Sequence, residues 1–138
     1  TGWTIITLFV VWISDTAAYF VGRAWGQHKI APAISPGKSW EGYAAQIFSG
    51  VVSGGAMVAL WPFIVKEPVN VPVWQGVILG ALVSVMCPLG DFFISMIKRE
   101  TGVKDTSRLI PGHGGVLDRL DTPLWAGVLA YIFLTFVN

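Results

Sequence analysis

The sequence predicts an all-α fold: a polytopic membrane bundle of about four transmembrane helices with two long connections on one face. Three observations predict it. Hydrophobic residues make up 54% of the 138 and charged residues only 12%, against about one quarter charged in soluble domains. The apolar residues gather into four runs at 3–22, 43–65, 75–97 and 122–137, each close to the ~20 residues that cross a hydrocarbon core. Tryptophans bracket the runs. Trp25, Trp40 and Trp125 flank one set of ends, Trp3, Trp61 and Trp74 mark the other, and Trp12 alone falls in mid-run, which is the pattern of two interfacial belts. One membrane domain over residues 1–138 follows, with no separate soluble unit.

The first run carries Asp15 about two turns before Arg23. A carboxylate in hydrocarbon costs about 2.5–3.5 kcal/mol even on the mild insertion scale, so it must face protein, water or an ion. A buried helix–helix hydrogen bond is the plainer reading. The first connection, 23–42, includes Ser35-Pro36-Gly37-Lys38-Ser39-Trp40-Glu41-Gly42. Its Gly-Lys-Ser is not a phosphate-binding P-loop, because Pro32 stands where the earlier glycine belongs and no strand precedes it in a membrane helix. Lys38 and Ser39 can still bind phosphate as an isolated cation and hydroxyl, the alternative being a solvated lysine at the headgroups. The second and third runs contain Gly50 and Gly54, and Gly76 and Gly80. Such GxxxG spacings serve close helix packing and could support a homodimer. Cys87 reads as a small buried hydrophobe and, being the single cysteine, makes no internal disulfide.

The third run carries Asp91 at a depth like that of Asp15, and Asp91, Ser95 and Arg99 share one helical face at spacings of four. The third connection, 98–121, is the chemical centre of the chain. Residues 95–121 hold Lys98, Arg99, Lys104, Arg108 and Arg119, the acids Glu100, Asp105, Asp118 and Asp121, and His113 in Pro111-Gly112-His113-Gly114-Gly115. Asp118 and Asp121 point the same way if the fourth helix begins near Val116. Paired carboxylates suit a hard cation such as Mg²⁺, which keeps sites open for substrate phosphates; salt bridges to Arg108 or Arg119 are the alternative. His113 suits a phosphate or loop-positioning role better than a metal role, since no second His or Cys stands at zinc spacing. His28 reads as solvated.

Eight of the nine basic residues lie in the first and third connections, and only Lys66 lies in the second. Basic residues collect on the cytoplasmic side, so those two connections are expected there, in the manner of a bacterial inner-membrane protein. A net charge of +1 gives no footprint for nucleic acid, and none is expected as a partner.

Two ordered blocks now carry a resemblance. One is Ser95-x-x-Lys98-Arg99-x4-Lys104-Asp105-x5-Pro111-Gly112-His113-Gly114-Gly115-x2-Asp118-Arg119-x-Asp121. The other is Ser14-Asp15-Thr16-Ala17-Ala18-Tyr19, Gly22-Arg23 and Ile34 to Gly42. Together they cover about half the chain, and the sequence resembles the phosphatidate cytidylyltransferase (CDP-diacylglycerol synthase) family, departing from its pattern at Gly37 and Ser39. The chain looks like the C-terminal catalytic half of a longer protein with further spans.

The resemblance implies transfer from CTP to phosphatidate, giving CDP-diacylglycerol and pyrophosphate, with Mg²⁺ and a potential second cation, among membrane lipids. It assigns Asp91, Asp118 and Asp121 to metal. Lys98, Arg99, Lys104 and Arg119 would hold the triphosphate and the lipid phosphate, and Ser95 would ligate metal or phosphate. His113 joins them, and Asp105 either fixes Lys104 or contacts the nucleotide. Asp15, Lys38, Ser39 and Arg108 form the binding group, Asp15 orienting a basic partner or serving an additional cation. Two rivals stand beside this reading. A CTP-dependent polyprenol or phytol kinase would attack the terminal phosphorus instead, and a cation-coupled transporter would use Asp15 and Asp91 as a path. A scaffold packed through the glycine spacings is a third.

Overall fold

The computed structural model describes residues 2–65, 72–100, 102 and 117–137; the side chains of Lys98, residues 117–121 and Val137 lie outside the description. Four helices run in order, α1 (Gly2–Trp25), α2 (Trp40–Ile64), α3 (Val73–Glu100) and α4 (Leu117–Val137). The first three are long and apolar enough to cross a membrane, and α4 contains a shorter apolar stretch, Thr122–Phe136. The apolar runs located all four helices and fell short of most of their ends, overrunning α2 by one residue at Val65 and matching the end of α4 at Val137. α1 continues through Arg23, whose charge suits a helix C-terminus. α2 starts at Trp40 because Ser39, extended at φ −125 and ψ 156, caps it by accepting from the Gly42 amide, with Glu41 in the first turn.

Between α1 and α2 the chain forms a hairpin that the sequence reading left as an open connection. Strand β1 (Lys29–Ala31) pairs antiparallel with β2 (Ser35–Ser39), Lys29 opposite Ser39 and Ala31 opposite Ser35, with an irregularity between. The turn closes by an Ile34 amide bond to the Ala31 carbonyl at 3.1 Å, and Pro32 supplies the fixed φ that the second turn position favours. Pro36 and Gly37 are poor strand formers, which hid β2, but in a two-stranded ribbon they cost few ladder bonds.

The bundle is built with small and weakly polar residues inside and bulky apolar ones outside. Ser14, Ser84 and Thr7 are buried with Ile6, Val10, Leu79 and Val83, while Phe48, Phe63, Phe93 and Phe136 lie exposed. That inversion suits lipid, where the driving force between helices is close packing. The α2–α3 contact is the clearest case: a β-carbon added at Gly54 would overlap the Gly76 carbonyl, and one at Gly80 would overlap that of Gly50. Both glycine spacings therefore face each other within one chain, and a homodimer would use another face. Cys87 is buried as a small hydrophobe.

Hydroxyls in this core return to their own helices. Thr7 donates to the Trp3 carbonyl at 2.8 Å, Ser14 to Val11 at 3.0 Å, Ser53 to Gly50 at 3.2 Å, and Ser84 to Gly80. Among the described residues no buried side-chain N or O atom lacks a partner, as a medium without water requires.

Candidate active site

The C-terminal halves of α1 and α3, the start of α2 and the hairpin enclose a cavity of about 260 Å³, lined by Asp15, Ala18, Tyr19, Ile30, Gly37, Lys38, Ser39, Gly42, Tyr43, Gln46, Pro88, Asp91 and Phe92. Close approach of α1 and α2 shapes its floor, since a β-carbon at Gly42 would press on the Ala18 carbonyl and the Ser39 hydroxyl. One end of the bundle thus gathers the first polar block of the sequence and Asp91 of α3.

Lys38 is the crossing point. Carried on β2, its Nζ reaches α3 and donates to Asp91 Oδ2 at 2.9 Å, lies 3.5 Å from the Pro88 carbonyl, and sits 4.6 Å from the centre of the Phe92 ring. Both side chains of this ion pair are more than two-thirds buried. The second Asp91 oxygen, Oδ1, accepts from the Thr122 hydroxyl of α4 at 2.8 Å. Pro88 removes an amide from the α3 ladder one turn before Asp91, and in this stretch Tyr43 donates to the Val85 carbonyl at 3.1 Å. On the opposite wall Asp15 Oδ1 accepts from Gln46 Nε2 at 2.6 Å.

The hairpin is pinned at its root. His28 and Glu41 form an ion pair, Nδ1 to Oε1 at 2.6 Å, the His28 amide donates to the same carboxylate, and the Trp40 amide donates to the His28 carbonyl at 2.9 Å. His28 was expected to be solvated; it is exposed and yet holds Glu41. Ser39, expected to bind phosphate, is buried and caps α2, which leaves its hydroxyl proton available to donate.

The structure therefore brings together Asp15, Lys38, Ser39 and Asp91. Ser95 follows Asp91 by one turn of α3, half-buried, and Arg99 by two turns, exposed; neither lines the cavity. Lys98 lies in α3, and Asp118, Arg119 and Asp121 lie in the first turns of α4, which begins at Leu117. Lys104, Asp105, Arg108 and His113 fall outside the described residues. Gln46 and Thr122 were missed. Gln46 had a readable signal, an amide in the middle of an apolar run that must find a partner; Thr122 had none, because a threonine beside Pro123 reads as ordinary helix start.

A hard divalent cation fits this donor chemistry. Among the described residues no three His, Cys, Asp or Glu side chains converge. The charged lining is two carboxylates, Asp15 and Asp91, to one ammonium, Lys38, an acidic excess offering oxygen ligands of the kind Mg²⁺ takes. Asp118 and Asp121 belong to the first turns of α4, the helix whose Thr122 bonds to Asp91.

Comparison with known proteins accounts for this arrangement. A profile of the Cytidylyltransferase family matches residues 1–137. Among curated relatives, the phosphatidate cytidylyltransferase of Mycobacterium bovis is 42% identical over 137 residues, 99% of this chain and 42% of the relative. That of Brucella suis biovar 1 is 45% identical over 132 residues, 94% and 46% respectively, and that of Mycobacterium leprae is 40% identical over 131 residues, 94% and 39%. The chain spans less than half the length of these relatives. With the match running almost from end to end, this chain belongs to the Cytidylyltransferase family.

Proposed function

We propose that this chain carries the catalytic part of a phosphatidate cytidylyltransferase, converting CTP and phosphatidate to CDP-diacylglycerol and pyrophosphate. The observation that supports it most is the Lys38–Asp91 ion pair, which joins positions 53 residues apart on the wall of a cavity that Asp15 also lines, in a chain whose curated relatives bear that name.

The reaction asks little covalent chemistry of the protein. An oxygen of the lipid phosphate attacks the α-phosphorus of CTP, a new P–O bond forms, and the bond to the β-phosphate bridging oxygen breaks with pyrophosphate leaving. A phosphate monoester has its second pKa near ~6, so the nucleophile is already ionised near neutral pH and needs no serine or strong base. The difficulty is bringing two polyanions together, and this calls for positioning and electrostatic stabilisation. Asp91, Asp118 and Asp121 would hold a divalent cation, Mg²⁺ in this reading, which when bound neutralises phosphate charge and polarises phosphoryl oxygens. Lys38, paired with Asp91 in the structure, would supply a cation to phosphate at the same wall of the cavity. Arg99, Lys98, Lys104 and Arg119 extend the cationic rim, where a guanidinium can grip phosphate through two parallel bonds. Ser95 and the free proton of Ser39 add neutral donors. Asp105, Arg108 and His113 belong to the same connection and are assigned to binding nucleotide or shaping the loop.

A cavity of about 260 Å³ is smaller than the ~300–1,000 Å³ of pockets that enclose whole ligands, so it suits the phosphates, with the base and the acyl chains outside. The basic residues of the connections support a mouth at the cytoplasmic interface of a bacterial inner membrane, where phosphatidate would arrive from the leaflet and CTP from water. The test is the fate of label. Phosphorus from α-labelled CTP is expected in the lipid product; label entering lipid only from the γ-position would make the protein a kinase and end this reading. Cation flux in proteoliposomes without nucleotide, abolished by Asp91→Asn, would favour a transporter.

A further inference from the structure

We infer that Thr122 is a positioning residue for Asp91, fixing the carboxylate on α3 toward the cavity and tying it to the helical turns that carry Asp118 and Asp121. The inference rests on the cation-assisted reading above and adds a residue that the sequence blocks do not contain.

Asp91 meets a different donor on each oxygen. Oδ2 takes the Lys38 ammonium at 2.9 Å and Oδ1 takes the Thr122 hydroxyl at 2.8 Å. The two donors differ in what a cation does to them. A divalent ion held at Oδ2 would repel the ammonium and compete with it for that oxygen, whereas the neutral hydroxyl on Oδ1 would keep its bond. With Oδ1 held, the carboxylate cannot rotate about its χ2, and Oδ2 remains directed at the cavity should Lys38 be displaced. The hydroxyl supplies what outer partners of metal-ligating carboxylates supply, an orientation fixed before the ion binds.

The same contact is a structural joint. At Thr122 and one turn after it, α4 is fitted closely to α3. The Trp125 ring lies so close to Gly90 that a β-carbon there would meet it at 2.8 Å, and buried Cys87 Sγ lies 3.9 Å from the Thr122 carbonyl. Asp121 directly precedes Thr122, and Asp118 is one turn earlier, so the bond sets the height of those turns against Asp91. Loss of the hydroxyl removes the Asp91 Oδ1 bond while the Trp125–Gly90 contact, made by other side chains, stays in place.

Mn²⁺ binding to the intact protein in detergent, followed by loss of the free-ion electron paramagnetic signal without nucleotide, tests this independently of turnover. Thr122→Val keeps the branched shape and removes the donor, and is expected to weaken Mn²⁺ binding roughly 10- to 100-fold, the usual range for an outer-shell partner. Thr122→Ser restores the donor and is expected within about twofold of the parent, the smaller shape having little part in orientation. The Mg²⁺ concentration giving half-maximal transfer should rise with the Mn²⁺ constant while the KM for phosphatidate stays. Thr122→Ala carries the same expectation and keeps the test decisive if Thr122→Val does not accumulate as folded protein. Parental Mn²⁺ affinity in the donor-less variants overturns the inference, as does an equal loss in Thr122→Ser, which would make shape the cause. A parent protein that binds Mn²⁺ but transfers no label from α-labelled CTP strikes the proposed activity instead, and the Mn²⁺ series still decides the role of Thr122.

Discussion

The α2–α3 glycine contact and the cavity beside it handle polarity in opposite ways. At the glycine contact, Ser53 and Ser84 bond to carbonyls of their own helices, and the two helices meet through backbone. At the cavity the side-chain bonds run between elements: Gln46 to Asp15, Lys38 to Asp91 and Thr122 to Asp91, linking residues 31 to 53 apart in sequence. A hydroxyl can be satisfied within one turn and costs its helix little, whereas a charged group at this depth has no local partner of opposite sign and depends on tertiary assembly. Local satisfaction marks the scaffold and distant satisfaction marks the site.

If that division holds, the largest effect belongs to the scaffold. Gly54→Leu would push a side chain into the Gly76 backbone, which cannot retreat as a flexible side chain would. Loss of folded protein is expected, read as aggregation on size-exclusion chromatography in detergent. A monodisperse variant with normal activity would mean that α2 and α3 do not approach through these glycines.

Site variants should separate folding from turnover. Asp91→Asn keeps the shape and one of the two accepting oxygens but removes the charge, and transfer is expected to fall by about 10²-fold or more, the scale of lost electrostatic stabilisation, with elution unchanged. An active Asp91→Asn would remove this carboxylate from the chemistry.

Lys38→Met sharpens the comparison further, because the two roles of Lys38 act in opposite directions. Without the ammonium, Asp91 loses a competitor for cations, so Mn²⁺ should bind several-fold tighter in the absence of nucleotide. Transfer should nonetheless fall about tenfold or more for want of a phosphate partner. Weaker Mn²⁺ binding would make the ion pair a strut that holds the cavity open.

The scaffold was largely legible in the sequence and the site only partly so. Apolar length and tryptophan placement found four helices, and the glycine spacings found their tightest contact, because bilayer thickness and backbone approach leave their marks within twenty residues of chain. Asp15 and Asp91 stood out as acids where lipid forbids them. The partner of Lys38 did not, since nothing local in 29–42 says that a hairpin will carry it across to α3. Pro36 and Gly37 concealed β2, and the exposed His28 gave no hint that it pairs with Glu41 at the hairpin root. Thr122 became visible only once α4 was laid against α3.

The smallest effect tests the scaffold's local rule. The Ser84 hydroxyl is fully buried, close to Gly50 across the interface, yet it donates to the Gly80 carbonyl of its own helix. Removing it leaves a carbonyl that keeps its helical amide and a void smaller than a methyl group. Polar contacts between membrane helices average only about 0.6 kcal/mol, and one made within a helix should contribute no more. Ser84→Ala is therefore expected to shift the thermal midpoint by a degree or two at most and to leave transfer untouched. A large loss of stability would place Ser84 among the distant partnerships, binding α2 to α3 across the glycines, and the line between scaffold and site would have to be drawn by depth rather than by the reach of the bond.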